Sequence, residues 1–181
     1  MIKKKALFLD RDGVINVDHG YVCKLEDFQF VDGVFELCRY AISKGYLIFV
    51  ITNQAGIGRG YYNVTDFDHI TKHMCEKFIA QGALISKVYY SPFHPVFGLG
   101  KYKKDDESRK PRPGMIHKAV KEFGLDVSAS VLIGDKCTDI QAGHSAGVRT
   151  NILYKEDSGL TYDPNFSCHI VSSLTGAKVF L

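Results

Sequence analysis

Short apolar runs alternate along this chain with longer stretches in which apolar residues recur every three or four positions. The first pattern belongs to strands buried on both faces and the second to amphipathic helices, so together they predict a parallel sheet covered by helices on both sides. Residues 6–9, 47–51, 88–90, 131–133 and 151–153 read as strands, with a further edge strand at His169–Val171. Helices are expected at 34–43, at 66–81 with Thr65 as N-cap, at 115–123 between Pro113 and Gly124, and at 140–146. The fold class is therefore α/β, a doubly wound, Rossmann-like parallel sheet. Residues 92–113, rich in Gly, Pro and Lys, follow neither pattern. Loops beyond about 12–15 residues usually carry function. With no internal repeat and no linker, residues 1–181 read as one domain, with 92–108 as a loop beside its site.

Composition narrows the class. The chain has 181 residues, 45% of them hydrophobic and 24% charged, which suits a folded globular protein. No apolar run nears the roughly 20 residues of a membrane span. The net charge of +3 is too small to mark a basic face, so neither a nucleic acid nor a membrane is expected as partner, and a monomer is expected. Five cysteines, widely spaced and without a Cys-x-x-Cys pair, write neither a disulfide framework nor a zinc knuckle. The basic start (1–5) is followed by an apolar stretch (6–9) shorter than the about 7–15 residues of a signal peptide, which predicts a cytoplasmic protein.

In open α/β sheets ligands bind beyond the carboxyl ends of the strands, and there this sequence is densely polar. Asp10, Arg11 and Asp12 follow the first strand; Thr52, Asn53 and Gln54 the second; Asp135, Lys136 and Asp139 the fourth; Arg109 and Lys110 precede the helix at 115. Each residue alone has a plain explanation, since Asp and Asn form turns and an Arg-Lys pair is commonly solvated. Their joint order is harder to explain that way. Asp10-x-Asp12-Gly13, Thr52-Asn53, Lys110 and Gly134-Asp135 resemble the four motifs of the haloacid dehalogenase (HAD) superfamily of phosphotransferases. A receiver-like, non-enzymatic phospho-acceptor domain uses similar residues, but its acceptor Asp follows the third strand, which here ends in Ser91-Pro92.

That resemblance implies roles. Asp10 is the nucleophile; Mg²⁺ is held by the Asp10 and Asp135 carboxylates and the Asp12 carbonyl; Thr52 and Lys110 grip the phosphoryl oxygens; Asp12 is the general acid and base. Residues 13–51 and 53–109 are each filled by the elements they must contain, so the about 50 residues of an inserted cap domain do not fit. A capless enzyme closes its site with loops, here 17–30, 56–63 and 92–108. The loop signatures Asp18-His19-Gly20-Tyr21, Thr52-Asn53-Gln54-Ala55-Gly56-Ile57-Gly58-Arg59-Gly60 and Arg109-Lys110-Pro111 look like those of the D-glycero-D-manno-heptose 1,7-bisphosphate 7-phosphatases, from about Lys5 to Tyr154. The implied substrate is a small phosphorylated sugar on the route to nucleotide-activated heptose for a surface glycan. Its implied contacts are Arg11, Asp18, His19, Gly20, Tyr21, Asn53, Gln54, Ala55, Arg109 and Lys136. Arg109 suits the distal phosphate, with an ion pair to Asp105 or Asp106 as the plain alternative; Lys136 could instead pair with Asp10 or Asp135.

One departure stands out. Where the family commonly holds zinc with three cysteines and a histidine, this chain has Ser91, Phe93, Asp106 and Ser108. A zinc-free loop is expected, anchored by Phe93, Phe97 and Tyr102, with Lys101, Lys103 and Lys104 on a solvated face. Because that loop shapes the pocket, histidinol phosphate or another sugar bisphosphate stands as an alternative substrate, and a 3′-phosphorylated polynucleotide as a more distant one.

Overall fold

The computed structural model describes residues 4–155 and 165–181; residues 1–3 of the basic start lie outside them. Six strands form one parallel sheet: β1 (Lys5–Leu9), β2 (Tyr46–Asn53), β3 (Ile85–Ser91), β4 (Val131–Gly134), β5 (Thr150–Tyr154) and β6 (His169–Val171), in the order β3-β2-β1-β4-β5-β6. The period of two along each strand sorts the core. Leu7, Leu9, Ile48 and Val50 pack on one face with helices α1 (Val34–Ser43) and α3 (Val64–Ala80), through Leu37, Ile70, Met74 and Phe78. Ala6, Phe8, Phe49 and Ile51 pack on the other with α4 (Gly114–Phe123) and α5 (Cys137–Ser145), through Met115, Ile116, Ala119 and Ile140. With both faces covered, the central strands can be apolar throughout. No helix among the described residues is long and apolar enough to cross a membrane.

Element ends differ from expectation where side chains, not periodicity, set them. Helix α3 starts earlier because Asn63, not Thr65, is its N-cap: Asn63 Oδ1 accepts from the Asp66 amide at 3.0 Å and Asp66 Oδ2 accepts from the Asn63 amide at 2.9 Å. Helix α5 starts three residues earlier because Asp139 Oδ2 accepts from the Lys136 amide at 3.0 Å. Strand β2 runs on through Thr52 and Asn53, which pair with Tyr90 and Ser91. An unexpected helical turn, α2 (Ala55–Gly58), follows it.

The chain leaves β1 toward β2 on one side and reaches β4 on the other. Such a reversal of strand order opens a crevice at the carboxyl edge of the sheet. Asp10, Thr52 and Asp135 lie at that edge, on or just past three adjacent strands.

Candidate active site

The floor of the crevice is a buried cluster of charges. Asp10, just past β1, is 6% exposed; Lys110 is 3% and Asp139, in the first turn of α5, is 1%. Lys110 Nζ lies 2.9 Å from Asp10 Oδ1 and 2.6 Å from Asp139 Oδ1, and donates to the Ile51 carbonyl at 2.8 Å. Asn53 fixes the lysine's backbone, donating to the Lys110 carbonyl and accepting from the Lys110 amide, both at 3.0 Å. Carboxylate oxygens of Asp10, Asp135 and Asp139 lie within 4.8 Å of one another. Two glycines permit this crowding: a β-carbon at Gly13 would overlap the Asp135 carboxylate, and one at Gly134 would overlap Asp139.

One lysine does not neutralise three acids. Burial, then Asp139, Asp135 and Asp12, outweigh Lys110 and push the Asp10 carboxyl up to about 7; burial and Asp139 raise Asp135 to about 6. Asp135 Oδ1 is buried without a hydrogen-bond partner. A pocket of hard oxygens with surplus negative charge and an unsatisfied carboxylate atom fits Mg²⁺.

Asp12 is the hub of a second network. Its carboxylate accepts from Arg11 Nη2 at 2.9 Å, Asn16 Nδ2 at 3.1 Å and Gln54 Nε2 at 2.9 Å. Gln54 Nε2 also donates to Thr52 Oγ1 at 2.8 Å, which leaves the Thr52 hydroxyl hydrogen for another acceptor. The amide is held in that orientation by Tyr62, whose hydroxyl donates to Gln54 Oε1 at 2.5 Å. Tyr62 fits because residue 56 is glycine: a β-carbon there would enter the tyrosine ring. Gly58 likewise makes room for the Pro92 carbonyl.

Above the floor is a cleft of about 420 Å³, walled by Asp18, Gly20, Tyr21, Asn53, Ala55, Tyr62, Arg109, Lys136 and Thr138. Two further cations line it, Lys136 and Arg109. Lys136 Nζ lies 2.9 Å from Asp18 Oδ2 and 3.6 Å from Asp135 Oδ2. Arg109 is half-buried and donates to the Phe93 carbonyl at 2.9 Å. The acids that could have claimed Arg109 are taken: Asp105 pairs with Arg112, and Asp106 with Lys104 at 2.7 Å.

Beside the cleft, three of the four positions that hold zinc in the resembled family come together as a hydrogen-bonded group. Ser108 Oγ donates to Asp106 Oδ1 at 2.6 Å and lies 3.0 Å from Ser91 Oγ. Lys104 Nζ reaches Asp106 and sits 4.1 Å over the Phe93 ring. Hydroxyls, one carboxylate and a phenyl ring do not match a thiolate and imidazole zinc set.

With this geometry in view, likeness to known proteins decides the family. The chain is 55% identical over 152 residues, 84% of its length and 80% of the relative's, to a D-glycero-alpha-D-manno-heptose-1,7-bisphosphate 7-phosphatase of Burkholderia mallei. It belongs to the heptose-1,7-bisphosphate 7-phosphatase family. A Campylobacter jejuni member of the same name is 48% identical over 86% of each chain, and a Pasteurella multocida member, named for the beta anomer, 41% identical over 88% of this chain and 86% of its own. A family model described as HAD-hydrolase-like matches residues 107–165. Among solved structures, one of a HAD-like phosphatase from Mesorhizobium loti superposes with a TM-score of 0.87 at 32% identity, covering 98% of this chain and 85% of that one. The D,D-heptose 1,7-bisphosphate phosphatase of B. bronchiseptica, solved with magnesium and phosphate, shares the fold at a TM-score of 0.81 and 22% identity, over 97% of both chains.

Within this heptose bisphosphate phosphatase frame, the structure brings Asp10, Asp12, Thr52, Lys110 and Asp135 to one place and sets Asp18, Gly20, Tyr21, Asn53, Ala55, Arg109 and Lys136 around it. Arg11 goes elsewhere. Expected at the substrate, it is fully buried behind Asp12, with Nη2 also donating to the Val22 carbonyl at 2.8 Å. Gln54 is 1% exposed and serves Asp12 and Thr52, not the cleft. His19 is exposed outside the cleft wall. Phe97, expected as an anchor, is 57% exposed. Asp139 and Tyr62 were the residues sequence reasoning left without a role. The signal for the first was its place in the first turn of the helix that begins just after β4, at the same carboxyl edge as Asp135.

Proposed function

We propose that this chain is a Mg²⁺-dependent phosphatase that removes the 7-phosphate of a D-glycero-D-manno-heptose 1,7-bisphosphate through an aspartyl-phosphate, in the cytoplasm, where five free thiols are at home. One observation carries the reading: a buried cluster of Asp10, Lys110 and Asp139 lines the same cleft as two further cations, Arg109 and Lys136. That suits a substrate with two phosphates, one reacting and one held.

Asp10 Oδ1 accepts from the Arg11 amide at 2.7 Å and pairs with Lys110, so Oδ2 is the oxygen for attack on phosphorus. As the Asp10–phosphorus bond forms, the bond from phosphorus to the sugar oxygen breaks, and Asp12 gives that oxygen a proton. Water then attacks phosphorus, Asp12 takes its proton, and phosphate leaves Asp10 free. Thr52 donates its free hydroxyl hydrogen to a phosphoryl oxygen, and Lys110 turns one of its three hydrogens from a carboxylate to another such oxygen. Asp10, Asp135, Asp139 and the Asp12 carbonyl would hold Mg²⁺, which would supply the charge that lets a carboxylate approach a phosphate dianion. Arg109 and Lys136 hold the distal phosphate, with Asp18, Gly20, Tyr21, Asn53 and Ala55 around the sugar.

The test is phosphate release from both anomers of the heptose bisphosphate, fructose 1,6-bisphosphate, histidinol phosphate and a 3′-phosphorylated oligonucleotide, with Mg²⁺ or EDTA. The expected result is Mg²⁺-dependent release, strongest from the heptose bisphosphates. The alpha anomer should lead, in keeping with the greater likeness to the two alpha-named relatives than to the beta-named Pasteurella one. A preference for histidinol phosphate would replace the substrate and leave the mechanism standing. The family's zinc positions carry two serines, a phenylalanine and an aspartate here, so metal analysis of purified protein should find far less than one zinc per chain.

A further inference from the structure

Three loops at the mouth of the cleft converge on a single side chain. Arg59, at the end of α2, lies with its guanidinium 5.4 Å from the Tyr21 ring, 4.9 Å from the Tyr61 ring and 4.8 Å from the Phe97 ring, and donates to the Tyr21 hydroxyl. Tyr21 and Tyr61 meet edge to face at 4.7 Å. Each ring is at least 44% exposed, so burial does not hold them in place; the shared cation does. A second tie joins the same parts, from the Leu99 amide to the Gly58 carbonyl at 2.7 Å.

What the clamp holds is a strained turn. Tyr21 is the non-glycine residue with positive φ (55°) among the described residues, directly after Gly20 at 80°. A bulky side chain adopts that conformation only where its surroundings enforce it. The turn puts Gly20 and Tyr21 on the cleft wall and leaves Asp18 accepting from the Gly20 amide at 2.9 Å and paired with Lys136. A grip on Tyr21 is therefore a grip on Lys136, two contacts away.

We infer that Arg59 is a positioning residue: it lines no part of the cleft, but fixes the Asp18–Tyr21 turn against α2 and the 92–99 loop, so that the wall facing the second phosphate is preformed. This rests on the bisphosphate reading above. In the free protein the guanidinium meets rings and not a carboxylate, so the clamp needs no acid to be displaced when substrate enters.

The experiment compares Arg59→Ala, Arg59→Lys and Tyr61→Ala with the unaltered full chain, on the heptose bisphosphate and on p-nitrophenyl phosphate, which has no second phosphate. For Arg59→Ala the expected result is a KM for the bisphosphate raised about tenfold, kcat within about twofold, and unchanged kcat/KM on p-nitrophenyl phosphate. Lysine, lacking the planar face, should recover less than half of the loss, and Tyr61→Ala should show a smaller rise in KM. An unchanged KM, or equal loss on both substrates, overturns the inference. Hydrogen–deuterium exchange over 17–23 gives a readout independent of the substrate. Faster exchange there in Arg59→Ala or Arg59→Lys, with the β-strands unaffected, supports the clamp; identical exchange overturns it, even if the heptose bisphosphate proves not to be the substrate.

Discussion

The floor of the site and its rim are built on opposite principles. On the floor, side chains under 10% exposed bring charges to within 3 Å of each other, and a glycine at each crowded point removes the atom that would forbid it. On the rim, rings that are half in water are gathered around a cation with no burial to speak of. Low dielectric makes each floor contact strong and its loss expensive, whereas water screens the rim and leaves its contacts individually weak. Chemistry belongs to the part that cannot move, and choice of substrate to the part that can be altered cheaply. That division fits a cleft whose rim is built from the turns around Tyr21, Arg59 and Phe97.

The sharpest way to break the floor is at Asp10, the proposed nucleophile. Asp10→Asn keeps the shape and should lower phosphate release more than about a thousandfold on every substrate, with an unchanged circular dichroism spectrum. Lys110→Met removes the cation between Asp10 and Asp139; with EDTA present, urea unfolding should show a loss of about 3–5 kcal/mol, the scale of leaving buried charges unpaired. Gly56→Ala drives a methyl group into the Tyr62 ring, with an expected cost of about 1–3 kcal/mol in the same measurement. Tyr62→Phe is gentler: it frees the Gln54 amide, and kcat should fall several-fold while KM holds.

Acidity offers another probe of the floor. Asp10, near 7, and Asp135, near 6, both titrate above the ordinary carboxylate value of 3.8, so between those limits the folded, metal-free protein keeps protons that the unfolded chain has released. Their stabilising contribution is complete below about pH 4 and is lost as pH rises through 6 and 7. Calorimetry in EDTA should show a melting temperature that falls from pH 5 to pH 8, and saturating Mg²⁺ should flatten the slope. At the small end of the scale, Lys104→Met opens a half-exposed pair with Asp106 and should change stability by no more than about 1 kcal/mol.

How much of this was legible beforehand follows the same division. Asp10, Thr52 and Asp135 could be placed because a strand's carboxyl end is visible in the apolar pattern and the sheet then collects those ends at one edge. The burial of Arg11 had no such signal: the chain bends there, its carbonyl takes the Ile15 and Asn16 amides, and its guanidinium is drawn in by Asp12 and the Val22 carbonyl. The glycines at 56 and 58 said little in the sequence, because a glycine that leaves room for a neighbour looks like one that makes a turn. Tyr62 and Pro92, the neighbours they admit, are named only by the folded chain. Nor could pattern show that Asp105 and Asp106 pair with Arg112 and Lys104, leaving Arg109 for the cleft. Competition among surface charges is settled by loop geometry, which has no period to read.

The strand order has a bearing on how the protein is made. β1 lies between β2 and β4, and the Ala6 amide donates to the hydroxyl of Ser130, 124 residues later. While the chain is being synthesised, β1, β2 and β3 can pair as soon as they leave the ribosome, but that half of the sheet owns only one of the three clustered carboxylates. Lys110, Asp135 and Asp139 arrive afterwards, in that order. The charge cluster is thus incomplete until α5 has been made, and a chain stopped before β4 leaves β1 as an exposed sheet edge.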